Sequence, residues 1–152
     1  MKQLLLGILW GGITLFALCV FSANSSTISD DDYVKVDIKV SPKQLKANGQ
    51  GELVVQFKPQ SGIHINLEPP IQLTLDENQS IAFLPTQAKP SKTREGYLNT
   101  KKPLKYKFKV ANSITPGNAV IKGKLKYFYC SDEEGWCRMA TKDIQVTVTI
   151  VN

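Results

Sequence analysis

Tyr33-Val34-Lys35-Val36-Asp37-Ile38-Lys39-Val40 alternates apolar and charged side chains with a period of two, and that alternation decides the fold. Successive side chains of an extended strand point to opposite faces, so Val34, Val36, Ile38 and Val40 make a buried face and Lys35, Asp37 and Lys39 a wet one. The pattern recurs outward along the chain. It marks Leu53, Val55 and Phe57; Ile63 and Ile65; Ile71, Leu73 and Leu75; and Leu104, Tyr106, Phe108 and Val110. Ile121, Gly123, Leu125, Tyr127 and Tyr129 follow, then Ile144, Val146, Val148 and Ile150. Turn chemistry separates these runs at Asn48-Gly49, Ser61-Gly62, Pro69-Pro70, Asp76-Glu77-Asn78 and Pro116-Gly117. No segment carries a helical stripe. Seven or more short strands without intervening helices predict an all-β fold, an antiparallel β-sandwich of immunoglobulin-like kind. The polar stretch Ala88 to Lys102 is the one long loop, and a loop of that length in a compact sandwich is often functional.

With 152 residues, 42% of them hydrophobic, the chain can bury one ordinary core but not two. The excess of 19 Lys and Arg over 13 Asp and Glu comes from lysines alternating with apolar residues along strands, not from a basic run. That distribution argues against nucleic-acid binding. Lys2 precedes an apolar stretch from Leu4 to Phe21, which gives way abruptly to Ala23-Asn24-Ser25-Ser26. Residues 1–25 therefore read as an export signal, with cleavage after Ser25 or after Ser22, or as an uncleaved anchor whose residues 4–21 just span an inner membrane. Leu18 before Cys19 does not fit a lipidation site. Either destination places residues 26–152 outside the cytoplasm, periplasmic or otherwise exported, where disulfides persist. Any membrane contact would be through the N-terminal segment.

Cys130 and Cys137 enclose six residues across a predicted hairpin, where opposed residues lie within disulfide reach. Cys19 drops out with the signal, leaving one pair. An eight-residue loop contributes about 2.5 kcal/mol on the chain-entropy formula, little for a hairpin already held locally. Counting back by twos from Cys130 gives Phe128, Lys126, Lys124 and Lys122, so Cys130 belongs to the outer face, unlike the core-spanning disulfide of immunoglobulins. An accessible disulfide there is either inert or redox-active. Asp132, Glu133 and Glu134 disfavour a thiolate at Cys130, whereas Arg138 favours one at Cys137. A zinc site is a poor reading, since two cysteines and the sole histidine, His64, leave the tetrahedron incomplete. Nothing in the sequence asks for a cofactor.

The stretch Tyr127-Phe128-Tyr129-Cys130-Ser131-Asp132-Glu133-Glu134-Gly135-Trp136-Cys137-Arg138 resembles the cysteine hairpin of one family, the periplasmic amino-terminal domain of the thiol:disulfide interchange protein DsbD, or disulfide bond corrector domain. Gly62-Ile63-His64-Ile65-Asn66 with Pro69-Pro70, and Pro116-Gly117, resemble it too, so the likeness runs from about Val34 to Val151. The resemblance implies an immunoglobulin-like domain that takes electrons from a thioredoxin-like or membrane donor and passes them to oxidised periplasmic proteins, a protein-disulfide reductase. Cys130 and Cys137 would be its redox pair, with Cys137 forming mixed disulfides. His64 and Asn66 match outward positions that neighbour the family's disulfide; read alone, they are polar residues on a solvated face. The family's shielding loop has its counterpart in Ala88 to Lys102, with Tyr97 as candidate aromatic lid. Trp136 is placed either to shield the sulfur of Cys137 or to pack on Tyr129.

This sequence departs from the family. Its best-known members have five residues between the cysteines and Tyr-Pro-Pro after the second, against six and Arg138-Met139-Ala140 here, which puts the redox potential in question. Those members also carry their electron carriers in the same chain, so a separate donor is expected for this one. The alternative function is a non-catalytic immunoglobulin-like binding module with an inert hairpin disulfide; a third is a membrane-anchored accessory protein that docks a partner.

Overall fold

A computed structural model describes residues 33–76, 81–87 and 89–152. The export or anchor segment and Cys19 lie outside the described residues. Among the described residues, nine strands follow in chain order: β1 (Val34–Ser41), β2 (Gln44–Lys46), β3 (Gln50–Pro59), β4 (Ile63–Ile65), β5 (Gln72–Leu75), β6 (Ile81–Gln87), β7 (Leu104–Val110), β8 (Gly117–Ser131) and β9 (Trp136–Val151). One sheet has the order β1-β3-β7-β6, the other β2-β9-β8-β4, with β5 also on β8. The first order with β9-β8-β4 facing it is the ABED and GFC arrangement of an immunoglobulin-like sandwich. All pairings are antiparallel except that of β2 with the end of β9.

The predicted alternation holds where it is strictest. Along β7, Leu104, Tyr106, Phe108 and Val110 are buried, while Lys105, Lys107 and Lys109 face water. Burial pushes the Tyr106 phenol up to about 12, because a charged phenolate is poorly solvated there. Two elements were not anticipated. The three-residue β2 is too short to show a period, and β6 carries a proline and a register shift against β7. β9 begins at Trp136, well before Ile144, because the hairpin ladder with β8 continues through a stretch that has lost its apolar alternation.

β4 and β5 are two halves of one interrupted edge strand. Ile65 pairs with Tyr129 and Gln72 with Lys126, so Asn66 to Ile71 loop out opposite only Tyr127 and Phe128. β5 then approaches β8 so closely that a Cβ on Gly123 would clash with the Thr74 carbonyl oxygen. Gly123→Ala should therefore lower unfolding free energy in denaturant titration by about 1–3 kcal/mol, the usual cost of overpacking, while the distant cysteine hairpin keeps its bond.

Candidate functional site

The cysteine hairpin explains the six-residue spacing. Ser131 pairs with Trp136, and the four residues Asp132 to Gly135 make the turn. Gly135 adopts φ of 68°, a left-handed conformation that glycine takes without steric cost, and its N–H donates to the Ser131 carbonyl at 3.0 Å. The Glu134 N–H donates to Ser131 Oγ at 3.2 Å. One pair plus a four-residue turn leaves Cys130 directly opposite Cys137, and the two are disulfide-bonded with their Cα atoms 4.1 Å apart.

As the parity count expected, both cysteines project from the face of β8 and β9 opposite the core. The expectation that Cys130 is accessible needs correction: Cys130 is only 3% exposed, whereas Cys137 is exposed. The cover comes from parts of the chain remote in sequence. His64 pairs with Cys130 in the β4–β8 register, so His64, Cys130 and Cys137 form a row across three strands. Asn66, one step further along the same face, donates from Nδ2 to Cys130 Sγ at 3.1 Å. Its Oδ1 is buried without a partner.

The long loop closes over this row from the side. Leu98 is buried and donates its N–H to the Ile65 carbonyl at 2.9 Å, and Gln56 Nε2 donates to the Thr100 carbonyl at 2.6 Å. Lys92 and Leu98 bridge to make a small hairpin, with Tyr97 on its returning arm next to Leu98. The Tyr97 ring stacks on His64 with centroids 3.6 Å apart. Asp132 joins the two: its carboxylate lies 3.4 Å from His64 Nδ1 and accepts from the Tyr97 hydroxyl at 3.5 Å. Desolvation, followed by the negative charge of Asp132, pushes the Tyr97 phenol above its usual range. Thus Asn66 touches the disulfide, His64 lies beside it in the ladder, and Tyr97 reaches only His64 and Asp132. Asp132 was read from the sequence only as a negative charge near Cys130; its tie between His64 and Tyr97 depends on the tertiary placement of the loop.

Trp136 and Arg138 go elsewhere. Neighbours of Cys137 by one residue must face the other way in a strand. Trp136 packs edge-on against Tyr33 and Tyr129, at centroid distances of 5.1 and 5.7 Å, and its indole N–H donates to Glu134. The Arg138 guanidinium lies over the Trp136 and Tyr33 rings at 4.6 and 5.3 Å. The hairpin is therefore held on its inner face by aromatic packing, independently of the disulfide on its outer face. Among the described residues, no three His, Cys, Asp or Glu side chains are grouped as metal ligands.

No family model and no curated protein matches the chain. Among solved structures, the GAE domain of yeast GGA1 is similar at 15% identity and a TM-score of 0.44, over 78% of this chain and 94% of that one. Murine CRIg is similar at 8% identity and a TM-score of 0.40, over 78% and 99%. Likenesses this remote carry nothing about function.

Unequal burial makes the two sulfurs chemically distinct once the bond is reduced. In a timed iodoacetamide reaction on reduced, folded protein, Cys137 should be alkylated about tenfold or more faster than Cys130, since reactivity follows exposure. Tyr97→Ala should speed labelling of Cys130 and leave that of Cys137 unchanged; peptide mass spectrometry reads both.

Proposed function

We propose that this chain is an exported thiol:disulfide exchange domain that relays electrons through the Cys130–Cys137 disulfide. The observation that carries the reading is the division of labour between the two sulfurs. Cys137 is open to a partner, while Cys130 is enclosed and receives a hydrogen bond from the Asn66 amide. A disulfide serving only as a staple needs no such asymmetry, and the aromatic cluster already fixes the hairpin from its other face. The likeness of the cysteine hairpin to the DsbD amino-terminal domain supports the same reading.

In the reductive half, a thiolate of the electron donor attacks Cys137 Sγ. The Cys130–Cys137 bond breaks and Cys130 leaves as a thiolate, with the Asn66 Nδ2–H placed to stabilise it. A second donor thiol attacks the mixed disulfide at the donor's own sulfur and frees Cys137. The donor is left as a disulfide and the domain as a dithiol, with two electrons and two protons transferred. In the oxidative half, Cys137 thiolate attacks a disulfide of the substrate protein, whose second sulfur leaves and is protonated. Cys130 then attacks Cys137 Sγ, restoring the intramolecular bond and releasing the substrate's remaining cysteine as a thiol. A thioredoxin-like or membrane thiol:disulfide protein is the donor class, and oxidised exported proteins are the acceptors. Arg138 enters this scheme through hairpin packing, since its side chain faces away from Cys137.

Two measurements test the proposal. Equilibration with a glutathione couple should give a reduction potential above about −300 mV, whereas structural disulfides typically lie below it. Cys130→Ser, incubated with oxidised periplasmic extract, should accumulate mixed disulfides through Cys137, and Cys137→Ser should accumulate none. A potential far below that range, with no adducts in either variant, would leave the inert binding module as the better account. The sheet circular dichroism signal should survive reduction at 25 °C, because the disulfide's contribution of about 2.5 kcal/mol is a minor part of a domain's stability.

A further inference from the structure

The two edges of the disulfide-bearing sheet are treated differently. On the β4 side, Leu98 covers the edge by donating to the Ile65 carbonyl. On the β9 side, β2 pairs only with Thr149, Ile150 and Val151. Among the described residues, no strand pairs with the outer edge of β9 from Trp136 to Val148. An exposed edge of this length is a template for another chain, and proteins ordinarily blunt or cover it.

Which backbone groups face that edge follows from the ladder. The Cα separation of 4.1 Å marks Cys130 and Cys137 as a pair without mutual backbone hydrogen bonds. The N–H and C=O of Cys137 therefore point away from β8, as do those of Met139 and Thr141. The parity is verified further along β9, where Thr149 donates outward to the Lys43 carbonyl at 3.0 Å. The side chains of Cys137, Met139 and Thr141 share the disulfide's face, and Met139 is 49% exposed. The charged pair Lys142-Asp143 follows, so the uncharged stretch available to a visitor on that face is short and begins at the reactive cysteine.

We propose that the edge of β9 from Cys137 to Thr141 receives an extended, cysteine-bearing segment of the redox partner as an added antiparallel strand, with the partner's cysteine directly across from Cys137. The inference rests on the exchange reading above and specifies its partner. Across an antiparallel pair that exchanges both backbone bonds, Cα atoms lie about 5.5 Å apart, within the span of a disulfide. A parallel strand offers no directly opposed residue. The same register puts the residue two before the partner's cysteine opposite Met139, where an apolar side chain fits. Backbone bonds supply affinity without fixing sequence, which suits a domain that must serve several oxidised proteins.

The test uses the Cys130→Ser protein and short peptides whose single cysteine, two residues after a leucine, is activated as a mixed disulfide with 2-nitro-5-thiobenzoate. Attack by Cys137 releases the coloured thiolate. N-methylation of the leucine removes an N–H that faces β9, and should slow release about tenfold, the worth of one or two hydrogen bonds. N-methylation of the residue between leucine and cysteine removes an N–H that faces away, and should leave the rate unchanged. In the trapped adduct, the amides of Met139 and Thr141 should gain protection from hydrogen exchange, since Arg138 and Ala140 are already bonded to β8. Sensitivity at the intervening residue instead would overturn the antiparallel register. Equal rates for all three peptides without new protection would overturn edge docking while leaving exchange intact. Failure to release the thiolate even from its free symmetrical disulfide would overturn the exchange reading and the docking with it.

Discussion

One residue of slip between β8 and β9 would turn Leu125, Tyr127 and Tyr129 towards solvent and Cys130 towards the core. The fifteen-residue ladder from Gly117↔Ile150 to Ser131↔Trp136 prevents it, because from Ile121 to Tyr129 alternate positions of β8 are committed to one side or the other. The ladder also sets the chemistry. It opposes the two cysteines, aligns His64 beside them through β4, and sends Trp136 and Arg138 to the other face. Burial of Tyr127 and Tyr129, at roughly 2 kcal/mol or more for each large side chain, outweighs the contribution of any single contact around the sulfurs.

That hierarchy means the disulfide can open without much work by the backbone. The rings of Tyr33, Tyr129 and Trp136 hold the strands together from inside, and Ser131 accepts two turn hydrogen bonds, from Glu134 at Oγ and from Gly135 at its carbonyl. Neither set involves sulfur. The Asn66 amide is the group best placed to register the change, since its Nδ2 serves a sulfur acceptor while its unpaired Oδ1 is available to a thiol donor after rotation of the amide.

The sandwich was legible because strict alternation in β1, β7 and β8 leaves only one face of each strand fit for burial. The parity of Cys130 was legible for the same reason. Its enclosure was not. Asn66, which bonds its sulfur, lies at the start of a strand interruption, and Tyr97 and Leu98, which pack on β4 beside it, come from a loop whose path depends on tertiary contacts; Leu98 looked like one apolar residue in a polar stretch. Arg138 shows a different limit. Adjacency in sequence suggested an electrostatic role at Cys137, yet adjacent residues in a strand are the ones kept apart. The first half of β9 was hidden because Trp136 to Met139 lie at the sandwich end, where neither face is uniformly buried.

The break between β4 and β5 separates the site from the rest of the edge in a way that matters for change over time. Register fixes the strand on both sides of the break, but the length of the looped segment is set by neither ladder. Glu68, Pro69 and Pro70 at its crest are exposed. Residues could be gained or lost there without moving Asn66 relative to Cys130 or Gln72 relative to Lys126. The segment lines a cleft with Lys92 and Tyr106, close to the base of the loop that carries Tyr97. Variation at this crest would thus reshape the surface beside the sulfurs and leave the Asn66 bond to Cys130 and the disulfide itself in place.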